Sequence, residues 1–209
     1  MCGILGAVFN KKTKENMNLI KLMIKELSNR GTHCFGVSYF KDNALITKKM
    51  LNLNMDELLN DFETSNSDKI IFHNRYSTSG DWKNMENNQP LTFGNTSIVM
   101  NGVIHMGTKI ELEKEFDEIL TTENDTETVL LKFVRGDSIE TFLKNNTSCS
   151  LAAIFLTTKI NYIRNNKRPL YLFKHPDYKI VVSTLTALKA AQVNIQDATI
   201  VSPFQMMEL

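Results

Sequence analysis

The sequence contains no long apolar run, because no stretch approaches the roughly 18 residues that a membrane-spanning helix needs. It also carries no strong charge of either sign, since 24 lysine and arginine residues face 23 aspartate and glutamate residues for a net charge of +1. A protein with this balance has no long-range field that attracts nucleic acid or an anionic membrane. The apolar residues 1–9 are too short for a signal-peptide core, and the nearby lysines follow them rather than precede them. We therefore expect a cytoplasmic protein with no nucleic-acid partner and no membrane partner.

Cysteine, proline and glycine are scarce, with 3, 4 and 9 residues respectively. The three cysteines cannot all pair within one chain, and neither a C-x-x-C spacing nor a suitable set of histidines makes a zinc site. His33 and Cys34 are adjacent, but no other ligand has a spacing that would complete a metal site with them. The G-x-x-x-x-G-K-[ST] and G-x-G-x-x-G phosphate-binding patterns are also absent. The sequence therefore predicts neither a metal nor a cofactor.

No tract rich in proline or glycine divides the chain, and 209 residues suit one domain at about 150 residues per domain. We therefore expect a single domain over residues 1–209, with no room for a second catalytic domain. Apolar residues at helical spacing predict helices at 15–29, 56–62, 109–116, 126–134, 137–145 and 185–192. Apolar and β-branched runs predict strands at 2–9, 35–40, 44–48, 69–73, 96–101, 150–157, 162–164, 170–174 and 180–183. Runs of strands interrupted by helices favour an α+β fold, in which two mainly antiparallel sheets form a sandwich flanked by helices.

Cys2 occupies a position where one residue can supply both a nucleophile and a base. If Met1 is removed, Cys2 carries a thiol and a free α-amine, whose ordinary pKa is near 8. The amine can accept the thiol proton directly or through water, as in N-terminal threonine nucleophiles, and the thiolate can then attack an acyl carbon. Such a site needs no histidine base.

Five segments in order resemble those of the class II glutamine amidotransferases, which release ammonia from glutamine. Residues 1–8 resemble the opening of that family, and residues 73–80 resemble its H-x-R-[YW]-[SA]-T-x-G segment. Asn88-Gln89-Pro90 follows at a plausible distance, as in the phosphoribosylpyrophosphate amidotransferases. Asn101-Gly102-Val103-Ile104 resembles N-G-x-[IL], and Asp125-Thr126-Glu127 resembles the D-[TS]-E that opens a later helix. By motif, the resemblance covers about the first two-thirds of the chain.

The resemblance implies the four-layer αββα fold of N-terminal-nucleophile hydrolases, in agreement with the sandwich expected from periodicity. It also implies that Cys2 attacks the side-chain amide of L-glutamine and forms a γ-glutamyl thioester that water hydrolyses. Asn101 and Gly102, which close a predicted strand, would form the oxyanion hole. Arg75 would bind the glutamine carboxylate, Asp125 its ammonium group, and Thr78 would contact the substrate. The loop that closes over glutamine would contain Tyr76, Ser77, Ser79 and Gly80.

Each of these residue types also has an ordinary structural use. Cys2 would serve equally as a small buried residue at the start of a strand, and Arg75 as a partner in a surface salt bridge. Asp125 could cap the helix that follows it, and Asn101-Gly102 is typical of a tight turn. The loop residues Ser77, Ser79 and Trp82 could have no special role, and His73, His105 and His175 are interpreted as packing or surface histidines. The order of the five segments favours the catalytic interpretation of the set.

Two departures from the family pattern affect the site. The family's R-G-x-D-x-x-G segment corresponds to Arg30-Gly31-Thr32-His33-Cys34-Phe35-Gly36, so His33 stands where an acidic residue is usual. Met100 stands before Asn101, where several family members have histidine. His33 could change how the strand that carries Cys2 is supported, or the acidic role could be absent; the sequence leaves both open.

The leading hypothesis is therefore a glutaminase or amidotransferase domain that hydrolyses L-glutamine and passes ammonia to an acceptor. The alternatives are an amidase acting on another γ-glutamyl compound and a non-catalytic regulatory module that has kept the fold. A glutaminase domain would occupy all 209 residues, so we expect no synthase or acceptor site in this sequence. We therefore expect the acceptor on a separate protein.

Overall fold

Two antiparallel β-sheets lie face to face between two layers of helices in a computed structural model that describes all 209 residues, Met1–Leu209. The six helices are α1 (Lys14–Ser28), α2 (Met55–Thr64), α3 (Lys109–Phe116), α4 (Thr126–Arg135), α5 (Ile139–Asn145) and α6 (Leu185–Ala190). The first six strands are β1 (Gly3–Phe9), β2 (Cys34–Lys41), β3 (Ala44–Met50), β4 (Lys69–Arg75), β5 (Leu91–Phe93) and β6 (Thr96–Val103). The last six are β7 (Ser150–Leu156), β8 (Ile160–Arg164), β9 (Tyr171–His175), β10 (Tyr178–Val182), β11 (Thr199–Ile200) and β12 (Met207–Glu208).

The larger sheet has seven strands in the order β11-β9-β10-β1-β4-β2-β3, and the smaller has five in the order β12-β8-β7-β6-β5. Every neighbouring pair in both sheets is antiparallel. β1 therefore lies in the interior of the larger sheet, where β4 and β10 fix its register with Ile4 opposite His73 and Leu5 opposite Val182. The strand that begins just after Cys2 is thus held on both edges.

Three layers of apolar side chains fill the spaces between the four layers of backbone. One layer joins the larger sheet to α1, α2 and α6, and it includes Leu5 and Ala7. A second lies between the two sheets and includes Ile4, and a third joins the smaller sheet to α4 and α5. Because alternate residues of a strand point to opposite faces, β1 contributes to the first two layers and must be apolar throughout.

The structure confirms the α+β fold and the αββα sandwich, and every predicted helix and strand is present to within a few residues. The prediction missed the short strands β5, β11 and β12, which have only two or three residues each. It also ended one strand too early, since β6 continues through Asn101 and Gly102 to Val103. None of the six helices combines the length and apolar character needed to cross a membrane.

Candidate active site

A small cavity of about 130 Å³ lies beside Cys2, where the start of β1 approaches the end of β6. Four of its lining residues were predicted from the sequence to act on the substrate: Cys2, Asn101, Gly102 and Thr78. The others are Met1, Tyr76, Val103 and Arg168. Tyr76 was also predicted, as part of the lid loop, whereas Arg168 was not singled out in the sequence.

The Cys2 thiol is held by the backbone of Tyr76. The Tyr76 N–H donates to Cys2 Sγ at 3.4 Å, and Sγ lies 3.6 Å from the Tyr76 carbonyl oxygen. Burial raises the pKa of the Cys2 thiol, although the Tyr76 N–H, the nearby amino terminus and the Arg75 charge act in the opposite direction. A thiol in this environment needs a base to become a nucleophile.

Asn101 presents a buried donor without a partner. Its side chain is 2% exposed, and Nδ2 makes no hydrogen bond. An unsatisfied buried donor costs about 1 to 3 kcal/mol, so its presence beside a nucleophilic thiol requires an explanation. An oxygen atom in the cavity, such as the oxyanion of an acyl-transfer intermediate, would satisfy it.

Gly102 lies inside a strand, so the interpretation of Asn101-Gly102 as a turn is wrong. Gly102 pairs with Leu151 of β7. A Cβ atom at Gly102 would overlap the Ser150 carbonyl oxygen and lie 2.8 Å from Leu151 Cα. Glycine is therefore required because the backbone of β7 approaches β6 closely at the edge of the cavity.

Asp125 is not a helix cap. It precedes α4 with helical dihedral angles and makes no side-chain capping bond; Asn124 Oδ1 accepts from the Thr126 N–H instead. Asp125 Oδ2 accepts from the Ile104 N–H at 2.7 Å, so the carboxylate reaches across to the segment that follows β6. Burial raises the pKa of Asp125, opposed by hydrogen bonds from backbone N–H groups and by the Arg75 charge. A buried carboxylate of this kind is suited to pairing with a cation.

Arg75 is buried at 3% exposure, so the interpretation as a surface arginine is wrong. Its guanidinium donates to the carbonyl oxygens of Ser79, Gly80 and Asn87 and to Asn88 Oδ1. It does not line the cavity in this structure. Arg75 therefore joins the loop at residues 76–80 to the segment at residues 87–88, and carboxylate binding by Arg75 would require some of these carbonyl groups to be released.

His33 supports the predicted lid loop rather than the strand that carries Cys2. The Ser77 N–H donates to His33 Nδ1 at 2.9 Å. The imidazole stacks on Trp82 and Tyr76, with ring centroids 5.0 and 5.5 Å away. Ser77 Oγ also donates to the Ser79 and Gly80 carbonyl oxygens. The unusual histidine is thus a contact of the loop backbone.

Two side chains of the quoted motifs connect the parts of the site. Gln89 Oε1 accepts from the Met100 N–H at 2.6 Å while Gln89 Nε2 donates to Thr126 Oγ1 at 2.8 Å, which joins β6 to the start of α4. Glu127 accepts from the N–H and hydroxyl groups of both Thr121 and Thr122, at 2.6 to 2.8 Å. Gln89 and Glu127 both belong to motifs quoted for the resemblance. Their hydrogen-bond partners lie in distant or irregular segments, which sequence patterns do not reveal.

The remaining histidines have no place in the cavity. Burial lowers the pKa of His73 to about 3, and this fully buried side chain makes no hydrogen bond. His105 and His175 accept from local backbone N–H groups. These positions agree with the interpretation of all three as packing or surface residues.

No family model matches the chain. The chain is similar to an amidophosphoribosyltransferase of Archaeoglobus fulgidus, at 32% identity in an alignment 161 residues long that covers 71% of this chain and 34% of that protein. It therefore spans about a third of the length of this curated relative.

Solved structures resemble the chain over nearly its whole length. A glutamine phosphoribosylpyrophosphate amidotransferase from B. subtilis, in complex with ADP and GMP, matches 99% of this chain and 47% of its own, with a TM-score of 0.71 and 20% identity. An allosteric regulatory enzyme of purine biosynthesis matches 99% of this chain and 46% of its own, with a TM-score of 0.72 and 21% identity. A glutamine aminotransferase class-II domain protein from Silicibacter pomeroyi matches 97% of this chain and 93% of its own, with a TM-score of 0.53 and 12% identity.

The paired antiparallel sheets between helical layers and these structural matches define the N-terminal-nucleophile hydrolase fold. Within that fold, the sequence relative and the motif residues gathered around Cys2 make the assignment more specific. Together with the fold, the relative and the motif segments support the resemblance of this chain to the class II glutamine amidotransferase domains.

Proposed function

We propose that this domain hydrolyses L-glutamine to glutamate and ammonia, with Cys2 as the nucleophile after removal of Met1. One observation carries the proposal: Cys2 and Asn101 line the same small cavity, and the buried amide nitrogen of Asn101 has no hydrogen-bond partner. A nucleophile next to a free donor is the arrangement that acyl transfer requires.

The proposed reaction begins when the Cys2 α-amine takes the thiol proton. The thiolate sulfur then forms a bond to the side-chain carbonyl carbon of glutamine, and the electron pair of the C=O bond moves to the oxygen. The amide nitrogen of Asn101 and the backbone N–H of Gly102 would stabilise this oxyanion. When the C–N bond breaks, the ammonium group of Cys2 returns its proton to the leaving nitrogen, and ammonia departs from a γ-glutamyl thioester.

Water completes the proposed cycle. The neutral α-amine takes a proton from water as the hydroxide oxygen attacks the thioester carbon, and the second tetrahedral oxyanion occupies the same donors. Collapse of this intermediate breaks the C–S bond and releases glutamate. The sulfur regains a proton from the α-ammonium group, which restores the starting state.

We assign the glutamate end of the substrate to Asp125, Arg75 and Thr78. Asp125 supplies a buried carboxylate for the substrate ammonium group, and Thr78 lines the cavity. Arg75 offers a planar cation that matches the substrate carboxylate, provided that loop closure exchanges some of its present carbonyl partners for substrate oxygens. The 76–80 loop, with Tyr76, Ser77, Ser79 and Gly80, would then act as the lid.

We also propose that the ammonia passes to an acceptor site outside this domain, on a partner protein. The similarity to one part of larger amidotransferases supports this view. The prediction of a single domain over residues 1–209 without an acceptor site stays part of the same proposal.

The decisive assay measures glutamate and ammonia released from L-glutamine by protein whose mass shows that it begins at Cys2. We expect the two products in equal amounts, and a Cys2→Ala variant with no turnover. Cys149→Ala provides a matched control, because Cys149 is buried in the outer core of the smaller sheet, and it should retain activity. Turnover of a γ-glutamyl anilide without turnover of glutamine would instead favour an amidase, and absence of both reactions would contradict the proposal.

A further inference from the structure

Arg168 supplies the only charged side chain among the residues that line the Cys2 cavity. It belongs to the connection between β8 and β9, far along the chain from the quoted motifs. Its Nη1 lies 3.2 Å from Met1 Sδ, and its Nε donates to Ser150 Oγ at 3.1 Å. The guanidinium therefore lies over the residue whose removal would expose the Cys2 amine.

The loop that carries Arg168 is fixed to the smaller sheet. Asn165 Oδ1 accepts from the Leu151 N–H at 3.2 Å, and Asn165 Nδ2 donates to the Cys149 carbonyl oxygen at 2.9 Å. Arg164 Nη1 donates to the Arg168 carbonyl oxygen at 3.3 Å. These bonds place the Arg168 backbone next to the start of β7, so the position of the cation does not depend on Met1 alone.

A second arginine, Arg30, also approaches the amino terminus, and its Nη2 lies 3.9 Å from Met1 Sδ. Arg30 Nε donates to the Cys2 carbonyl oxygen at 3.2 Å, and the Met1 amine donates to the Arg30 carbonyl oxygen at 3.3 Å. The charged or titratable groups that act on the amine are the Cys2 thiol, Arg30 and Arg168, and those that act on the thiol include Arg75 and Asp125. Burial lowers the pKa of the Met1 amine, and the two arginines add to that effect, whereas the Cys2 thiolate opposes it.

Removal of Met1 would change the surroundings of Arg168 in a defined way. The amine would move one residue inward, from Met1, which is 60% exposed, to the half-buried Cys2. The guanidinium would lose its contact with Met1 Sδ but keep Ser150 Oγ as an anchor. A fixed cation next to an amine disfavours the protonated form of that amine, and a base must be unprotonated to act.

We propose that the Arg168 guanidinium favours the neutral form of the Cys2 α-amine once Met1 is removed, and so acts as a positioning residue for the base of the reaction. The contribution of Arg168 to catalysis rests on the proposed glutaminase function, whereas the effect of Arg168 on the pKa of the amine can be measured without turnover. The two claims can therefore fail separately.

The test compares Arg168→Gln with the unaltered protein, both beginning at Cys2. The pH dependence of the rate at which an amine-selective acylating reagent labels the N-terminal residue, read by peptide mass, titrates the amine directly. We expect the midpoint to rise by roughly 0.5 to 1 pH unit in Arg168→Gln. The acid limb of kcat/KM for glutamine should move in the same direction by a similar amount.

Two further variants separate charge from structure. Arg168→Lys restores the positive charge and should bring both midpoints back toward those of the unaltered protein. Lys167→Gln removes a charge from the same loop, where Lys167 Nζ contacts the Thr147 and Ser148 carbonyl groups, and should leave both midpoints unchanged. An unchanged amine midpoint in Arg168→Gln would overturn the inference. If KM for glutamine rises while the amine midpoint stays the same, Arg168 belongs to substrate binding instead. A shifted amine midpoint in a protein that never turns over glutamine would support the inference and refute the glutaminase function.

Discussion

At the residue scale, Asn101 supplies a buried side-chain donor that the folded chain leaves without a partner beside Cys2. Asn101 Nδ2 is buried and unpaired, although the same region satisfies Gln89, Asp125 and Glu127 with hydrogen bonds. Because unsatisfied donors destabilise a fold, a protein gains nothing from one unless a ligand uses it. The proposed catalytic role of Asn101 and its cost to stability therefore give linked predictions.

Asn101→Leu removes the free donor and keeps a side chain of similar size. We expect kcat for glutamine hydrolysis to fall about 100- to 1000-fold, because one oxyanion donor is lost, while KM changes much less. The thermal unfolding temperature should stay the same or rise, since no hydrogen bond of Nδ2 is broken. Steady-state kinetics and calorimetry on the same preparation check both effects, and a large loss of stability with unchanged kcat would assign Asn101 to the core instead.

Asp125→Asn separates the charge of this residue from its hydrogen bond. Burial raises the pKa of Asp125, so the ionised form is less favourable in the folded state than in the unfolded state. That cost is present at pH values above the folded pKa and disappears as the pH falls below the ordinary carboxylate pKa. An amide can still accept from the Ile104 N–H, so Asp125→Asn should be at least as stable at pH 7 as the unaltered protein.

The same variant should bind glutamine poorly, because the substrate ammonium group loses its buried counter-charge. We expect KM for glutamine to be at least tenfold higher in the variant at pH 7. In the unaltered protein KM should also rise in acid, as Asp125 becomes protonated, and this pH dependence should be absent from the variant. Measurements of KM from pH 5 to 8 and of unfolding at pH 7 test this pair of effects. An unchanged KM would leave the Asp125 carboxylate without the proposed role.

At the scale of elements, the 76–80 loop borders the cavity through Tyr76 and Thr78. The 76–80 loop follows β4 directly, and Gly31 leaves space for it, because a Cβ at Gly31 would lie 2.5 Å from the Arg75 carbonyl carbon. Arg75 and His33 hold the loop through its backbone groups. The α4 start fixes the facing segment through Asn124, whose Nδ2 donates to the Asn87 carbonyl oxygen at 2.8 Å.

His33→Phe and His33→Asn divide the two contacts that His33 makes with the loop. Phenylalanine can stack on Trp82 but cannot accept from the Ser77 N–H, whereas asparagine can accept but stacks poorly. The hydrogen bond and the stacking are each worth about 1 kcal/mol, so each variant should raise KM for glutamine roughly fivefold. KM values equal to that of the unaltered protein in both variants would show that His33 does not support the lid.

Glu127→Gln tests the clamp at the start of α4. The amide nitrogen cannot accept from Thr121 or Thr122, so up to half of the hydrogen bonds to this side chain are lost. We expect a loss of about 1 to 3 kcal/mol in the free energy of unfolding and faster amide exchange at residues 121–125.

Glu208→Gln is the control for this clamp, because Glu208 forms an exposed pair with Lys159 and should change stability by less than about 1 kcal/mol. Equal effects of the two substitutions would contradict a special role for Glu127.

At the scale of the whole molecule, the sandwich brings together groups from distant parts of the sequence. Cys2 immediately precedes β1 of the larger sheet, Asn101 lies in β6 of the smaller sheet, and Arg168 lies in the loop between β8 and β9. The packed core between the sheets fixes their separation. The site therefore depends on sheet-on-sheet packing as well as on its own contacts.

Much of this architecture could be predicted from the sequence for physical reasons. β1 packs on both faces, so Gly3–Phe9 is apolar throughout, and α1 has one apolar face that recurs at helical spacing. β11 and β12 have two residues each and are too short to show any period. Their positions come from backbone pairing with β9 and β8, which a local pattern does not contain.

The same limit applies to the candidate site. Cys2, Asn101 and Thr78 lie in recognisable segments, and the structure brings them to one cavity. Arg168 approaches Met1 across 167 positions of sequence, and His33 approaches Ser77 across 44, so neither contact has a local signal. Tertiary packing alone creates these contacts.

The central claim is that a free α-amine on Cys2 makes its thiol a nucleophile toward glutamine. The most direct measurement compares the rates of glutamate release by two proteins. One begins at Cys2, and the other keeps one additional residue before Cys2, so that the Cys2 nitrogen is part of a peptide bond. An amide nitrogen has no basicity, so we predict turnover and a γ-glutamyl thioester on Cys2, detected by mass after acid quenching, only in the first protein. Equal turnover by the two proteins would contradict the account.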